Sequence, residues 1–487
     1  MSISDPFQLL SLISLGVTLF TSMVIILDDT KSSETTIAWL LVIFLFKWIG
    51  VLFYVLLGIN WKKRKIVQQK PEDIFGSFLQ PVLQRQQDFI SRLIETHESE
   101  SYSDMTKLMR MLLSGNNSII TLNNRIRFFH NGKDAFASMF HDLKRARETI
   151  HMEFYIWRSD ELGEELKEIL IERARNGVDV KLIFDGLGSF GKISYAYRRE
   201  LKEAGIRFSY FLDLNLAPAR LKINYRNHRK VVVIDGRKAY TGGINVGKEY
   251  IDGGSKFEQW RDTALRITGD SVMMLQALFL IDWASSGNEQ VLDGKLFPAF
   301  HPGERQTPVQ IAFSGPDSRW SSIEQLFFLM ITNANTDIWI QSPYFIPSQG
   351  ILHALQSAAL SGVNVHLMMT GIPDKHPPFW AAHTYFPGLV DAGVKLYLYR
   401  RGFLHSKTVV ADSKICSVGS CNMDMRSFHI NFEANAVIYD EDLSRQLVDQ
   451  FRRDLAFCEE VTHASLTSQS PFIKLRNSIL RIFSPIM

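Results

Sequence analysis

Two stretches of this chain repeat each other in register, and that repetition restricts the possible folds more than any other feature. Ala174-Arg-Asn-Gly-Val-Asp-Val-Lys-Leu-Ile-Phe-Asp-Gly186 matches Ala359-Leu-Ser-Gly-Val-Asn-Val-His-Leu-Met-Met-Thr-Gly371. Each reads as a helix end, a glycine C-cap and a buried strand. Leu201-Lys-Glu-Ala-Gly-Ile-Arg207 likewise matches Leu389-Val-Asp-Ala-Gly-Val-Lys395. The period is far too long for a solenoid, so the repeat marks a duplicated domain. Apolar segments alternate as strands and helices, which predicts two α/β halves with a shared site on the axis between them. The 487 residues suit about three domain-sized units, so the duplication leaves room for one more.

That unit lies at the N-terminus. Phe7 to Leu27 is an uncharged apolar run, and Thr35 to Ile59 is a second, interrupted by Lys47. Both are long enough to cross a bilayer, which predicts a transmembrane helical hairpin over residues 1–60. A cleaved signal peptide fits poorly, because no Lys or Arg precedes Phe7 and no small-residue cleavage site precedes Asp28. Asn60-Trp61-Lys62-Lys63-Arg64-Lys65 follows the second run, and its four cations place that end, the N-terminus and the body on the cytoplasmic side. Trp39 and Trp61 suit interface positions. Lys47 faces either the partner helix or water. Residues 61–118 read as a polar linker, 119–304 as the first half and 305–487 as the second. The last part of the second half, Pro471 to Met487, reads as an amphipathic basic helix on the membrane or on the body. The pairs Phe379-Trp380 and Tyr385-Phe386 read as core packing rather than an interfacial dip.

Composition excludes several classes. With 46% hydrophobic and 22% charged residues, the chain is neither disordered nor collagen-like. A net charge of +3 does not suggest a nucleic-acid binder. Three cysteines cannot build a disulfide framework. No His-Glu-x-x-His or Cys-x-x-Cys is present, so neither a metal nor another cofactor is expected.

Each half carries one His-x-Lys-x4-Asp constellation. The first is His228-Arg-Lys230-Val-Val-Val-Ile-Asp235, continuing to Gly242-Gly243-Ile-Asn245; the second is His405-Ser-Lys407-Thr-Val-Val-Ala-Asp412, continuing to Gly419-Ser420-Cys-Asn422. On a strand, positions i and i+2 share a face, so His228 and Lys230 point the same way, as do His405 and Lys407. Asp235 and Asp412 have the opposite parity and read geometrically as strand-end or turn residues. Two lysines suit phosphate oxygens and the charge that grows in a transition state. One imidazole can attack phosphorus and the other protonate the leaving oxygen. Gly243 and its neighbours allow close approach of an anion, and Asn245 and Asn422 can donate hydrogen bonds. Trp260-Arg-Asp262 aligns with Asn431-Phe-Glu433, which makes Asp262 and Glu433 candidates to orient the imidazoles.

These residues resemble the phospholipase D superfamily, whose signature is a duplicated His-Lys-Asp motif, and within it the bacterial cardiolipin synthases. The closer likeness rests on Thr36-Ile-Ala-Trp39-Leu-Leu41, Ile150-His-Met-Glu153-Phe-Tyr-Ile156, Trp260-Arg-Asp262-Thr263, Gln341-Ser-Pro343-Tyr344-Phe345-Ile-Pro347 and Asn422-Met-Asp424-Met-Arg426-Ser427. It implies two phospholipase D-like domains sharing one active site behind a membrane hairpin, in a bacterial cell membrane. It implies phosphatidyl transfer between two phosphatidylglycerol molecules, giving cardiolipin and glycerol. The catalytic set would be His228, Lys230, Asp235, His405, Lys407 and Asp412. Asn245, Asn422, Asp262, Glu433, Gly243 and Ser420 would serve the substrate. By analogy His228 is the nucleophile and His405 the acid and then base, although near-symmetry lets the roles exchange. Gly243 stands where the superfamily often has Ser, as Ser420 does in the second half.

Overall fold

Runs of Val, Ile and Leu too short for buried helices form the central strands. The computed structural model describes residues 6–28, 33–58, 84, 100–212, 224–289, 293–298, 307–468 and 470–484. In the first half the strands are β1 (Asn124–Asn131), β2 (Thr149–Phe154), β3 (Asp179–Asp185), β4 (Arg207–Phe211), β5 (Arg226–Asn227), β6 (Val231–Ile234), β7 (Lys238–Gly242) and β8 (Trp260–Gly269). The second half has β9 (Val309–Ser314), β10 (Asp337–Gln341), β11 (Phe345–Ile346), β12 (Asn364–Thr370), β13 (Lys395–Tyr399), β14 (Phe403–Leu404), β15 (Thr408–Ala411), β16 (Ile415–Gly419), β17 (Met423–Asp424), β18 (Asn431–Ile438) and β19 (Cys458–Val461).

The two main sheets follow one plan. The first runs β1-β8-β7-β6-β2-β3-β4, and the second β9-β18-β16-β15-β10-β12-β13, with β19 added at its edge. In each, three parallel strands joined through helices lie beside an antiparallel block. The strands that follow the His-x-Lys motifs, β6 and β15, are buried at every residue, as central strands must be.

The halves are joined by exchange. The two-residue strand β5, from the first half, pairs in parallel with β18 of the second, and β14 of the second pairs in parallel with β8 of the first. Each exchanged strand directly precedes a motif histidine. The backbone N–H of His228 donates to the Phe432 carbonyl at 2.9 Å, and that of His405 to the Arg261 carbonyl at 2.7 Å.

Two parts differ from expectation. Residues 100–116, placed in the polar linker, form a helix that buries Leu108, Met109, Leu112 and Leu113 in the core of the second half. Its end is tied there by Asn116 Nδ2 donating to the Phe313 carbonyl and Ser118 Oγ to the Ile311 carbonyl, both at 2.8 Å. The amphipathic spacing of Met105, Leu108, Met109 and Leu112 was the available signal.

At the N-terminus, α1 (Pro6–Ile26) and α2 (Ser33–Phe53) are the two apolar helices. The second is not one straight rod. Lys47 has φ 44° and ψ −117°, and the chain reverses there. The Trp39 and Tyr54 rings consequently meet edge-on at 5.4 Å, whereas a straight helix would separate them by about 22 Å. Gly50 permits the fold-back, since a Cβ there would stand 2.5 Å from the Val42 carbonyl oxygen. Trp39 is therefore buried with Ile25, Val42, Ile43 and Tyr54, rather than set at an interface. Residues 59–83, with the four cations, lie outside the described residues.

The C-terminal helix Pro471–Phe483 rests on the body. Arg476 lies 3.9 Å over the Trp380 ring and Arg481 4.9 Å over that of Tyr385. Phe483 reaches the cluster at the base of the apolar helices, while Phe472, Leu475, Ile479 and Ile482 form an exposed apolar stripe. Tyr385 and Phe386 are core residues, as expected, whereas Phe379 and Trp380 are only half-buried.

Candidate active site

Both motifs reach one place. Turning out of β5 and β14, each histidine meets a carboxylate from the opposite half. His228 Nδ1 lies 2.9 and 3.0 Å from the Glu433 carboxylate oxygens, and His405 Nδ1 lies 2.7 Å from Asp262 Oδ2. Ionised carboxylates only accept, so each Nδ1 carries a proton and each Nε2 keeps its lone pair. Asp262 and Glu433 have no exposed surface. They orient the imidazoles and do not themselves line the open site. The sequence alignment singles out both acids, but not that they cross between halves.

The lysines complete the cluster. Lys230 Nζ donates to the His228 carbonyl at 2.6 Å, and Lys407 Nζ donates to the His405 carbonyl. Burial pulls Lys230 down to about 7 and Lys407 to about 8, although Glu433 and Asp262 oppose the shift. Burial also lowers both imidazoles to about 4, against the pull of their carboxylates. Burial thus outweighs the expected charging of the imidazoles by these acids. Burial pushes the carboxyls of Asp262 and Glu433 up, but the facing histidine and lysine outweigh it and hold both below their usual range. The site therefore contains two neutral imidazoles, two ionised acids and two lysines whose charge an anion would favour.

The halves differ by a matched pair of residues. A Cβ at Gly243 would stand 2.1 Å from Asp262 Oδ1, so a serine does not fit there. In the second half Ser420 Oγ donates to the longer Glu433. The departure at Gly243 thus makes room for the carboxylate that holds His405.

Asp235 and Asp412 fall at the other end of the motif strands. Asp235 accepts from the backbone N–H groups of Arg147, Glu148 and Thr149 at 2.8–3.2 Å. Asp412 accepts from those of Asn335, Thr336 and Asp337 at 2.7–3.1 Å. Both sit at the far end of the motif strand with φ near 50° and clamp the entry to the neighbouring strand, as parity suggests. Asn245 Oδ1 accepts from the Ile156 N–H at 3.1 Å, and Asn422 Nδ2 donates to Ser427 Oγ at 3.2 Å. No group of three or more metal-ligating side chains occurs among the described residues.

Two buried ion pairs were not anticipated. Arg229, between the motif His and Lys, binds Asp282 at 2.6 and 2.8 Å and donates to the Glu433 carbonyl at 3.3 Å. Arg261, beside Asp262, binds Asp454 at 2.9–3.1 Å and donates to the Asp262 carbonyl at 2.7 Å. Each fixes the backbone that carries a crossed carboxylate. The signal was present in the equivalent places of Asp282 and Asp454 on the helices after β8 and β18.

Paired imidazoles backed by exchanged acids, with two lysines and duplicated sheets, define the phosphodiester-transfer class of phospholipase D-like proteins. The family model described as "Cardiolipin synthase, PLD-like domain" matches residues 139–273 and 328–455, and a phospholipase D–nuclease N-terminal model matches residues 16–58. "Cardiolipin synthase 2" of Bacillus cereus is 40% identical over 465 residues, covering 95% of this chain and 89% of the relative. "Major cardiolipin synthase ClsA" of Bacillus subtilis is 36% identical over 468 residues, 96% of each chain. The crystal structure of phosphatidylserine synthase from Haemophilus influenzae superimposes with TM-score 0.59, covering 78% of this chain and all of that one. At 16% identity, that likeness speaks for the fold alone. The chain belongs to the cardiolipin synthase family.

Proposed function

We propose that this protein is a cardiolipin synthase, a phosphatidyltransferase that joins two phosphatidylglycerol molecules into cardiolipin and releases glycerol. The carrying observation is the pair of buried imidazoles, each held by a carboxylate of the other half beside two buried lysines. Bound phosphate brings negative charge, which raises the affinity of the lysines and of one imidazole for protons. The neutral Nε2 of His228 attacks phosphorus, and the bond to the headgroup glycerol breaks. His405, protonated in the complex, gives its proton to that departing oxygen. Neutral His405 then takes the proton of a hydroxyl on the second phosphatidylglycerol. That oxygen attacks phosphorus, the P–N bond breaks, and His228 is free again. Lys230 and Lys407 hold the non-bridging oxygens as charge grows on them. Asp235 and Asp412 act in this reading as structural clamps.

The apolar helices make this a membrane protein. We place the body at the cytoplasmic face on the strength of the cations at 62–65. The exposed stripe of the C-terminal helix, beside those apolar helices, supports a catalytic body lying against lipid. Purified protein incubated with phosphatidylglycerol vesicles tests the reading. Cardiolipin and glycerol in equal amounts are expected, and phosphatidic acid without cardiolipin would refute it.

A further inference from the structure

The two sides of the site should look alike, because the halves follow one plan, yet they differ at the residue two before each histidine. In the second half that residue is Phe403. It packs against Trp260 with ring centroids 4.7 Å apart and against His405 at 5.7 Å. In the first half the same place, opposite Asn431 in the β5–β18 pair, is Arg226. Arg226 is 1% exposed, and none of its three guanidinium nitrogens has a hydrogen-bond partner. The neighbouring Asp185 does not neutralise it by contact. Its carboxylate is occupied by the backbone N–H groups of Leu187, Gly188 and Asn227 at 2.7–3.0 Å. Asn431 adds a second buried atom without a partner, its Oδ1, while its Nδ2 donates to Glu433 at 3.2 Å.

An unpaired buried guanidinium is costly, and a fold keeps one where a ligand supplies the counter-charge. Its surroundings indicate which ligand. Tyr155 sits edge-on to His228 at 5.0 Å and under Lys230 at 5.5 Å. Arg226 stands on β5 two residues before His228, on the same face by strand parity, in the place where Phe403 lies 5.7 Å from His405. A hydrolase needs one phosphate position, whereas joining two phosphatidylglycerols brings a second phosphate within a three-carbon bridge of the first.

We propose that Arg226 binds the phosphate of the accepting phospholipid, with the unpartnered Asn431 Oδ1 receiving a hydroxyl of its glycerol. This rests on the synthase reading and adds to it a reason for transfer to lipid rather than to water. A guanidinium suits the role because its planar fork pairs two phosphate oxygens at once.

The test compares acceptors in full-length protein reconstituted with phosphatidylglycerol. Exchange of labelled glycerol into phosphatidylglycerol uses the same donor step but an acceptor without phosphate. R226M is expected to lower cardiolipin formation at least tenfold and leave glycerol exchange within twofold, with R226K intermediate. Its melting temperature should equal or exceed that of the parent, because no protein partner is lost. Equal loss of both reactions, loss of neither, or a fall in melting temperature would overturn the site and leave the synthase reading standing. Absence of cardiolipin from the unsubstituted protein would overturn both.

Discussion

At Gly243 one missing side chain decides whether Asp262 can hold His405. Its substitution by Ser would set a Cβ 2.1 Å from Asp262 Oδ1 and displace the carboxylate. A displacement of that size costs about a hundredfold in rate. The double variant G243S/D262E copies the Ser420–Glu433 arrangement and should recover much of the loss, as read from cardiolipin formation. Titration gives a second prediction at this scale. Lys230 and Lys407, drawn down by burial to about 7 and about 8, lose their charge in the free enzyme as pH rises through those values. kcat/KM should therefore fall above about pH 7–8, while kcat, measured with phosphate bound, holds to higher pH. A kcat/KM that stays level to pH 10 would refute the assignment. The motif residues are legible in the sequence because strand parity puts His and Lys on one face. The crossed acids are legible only as equivalents of each other. Their contacts span 143 and 205 residues, and no local pattern encodes which half they serve.

Among the elements, the Asp-turn clamps and the apolar helices make separate claims. Asp235 gathers three backbone donors beyond the reach of substrate. Asp235→Ala should lower stability by about 1–3 kcal/mol through the unpaired donors, with the activity of the folded fraction retained; denaturant unfolding beside the product assay separates the two. In α2 the reversal at Lys47 leaves segments of about 14 and 11 residues, each short of the roughly 20 that a crossing needs. We therefore predict that the segment returns to the side it entered, so that α1 alone crosses and the Phe7 end lies opposite the body. This departs from the two-crossing reading, which puts both on one side. Membrane-impermeant labelling of a cysteine at Gln8 in intact cells should succeed; labelling only after permeabilisation would restore the straight crossing. The lone charge in an apolar run marked the place of the reversal, but hydropathy alone does not separate a reversal from a tilt.

For the whole molecule, the site belongs to one chain. Both histidines and both acids are supplied by the same polypeptide, so mixing H228A with H405A protein should restore no cardiolipin synthesis. Recovery on mixing would mean that halves swap between chains. The α/β class and the duplication were readable because each half repeats the same helix-cap-strand punctuation. The exchange of β5 and β14 was not, because two-residue strands carry no periodicity.

That exchange bears on descent as well as chemistry. Each histidine answers to an acid in the other repeat, so a single repeat could act only by meeting a second copy across a two-fold axis. Fusing the copies made identity unnecessary. One side could keep Gly243 with Asp262 while the other took Ser420 with Glu433, and one could hold Arg226 where the other holds Phe403. A symmetric ancestor would have treated its two ligands alike. Covalent linkage is what lets the present chain tell a donor from an acceptor of the same chemical kind.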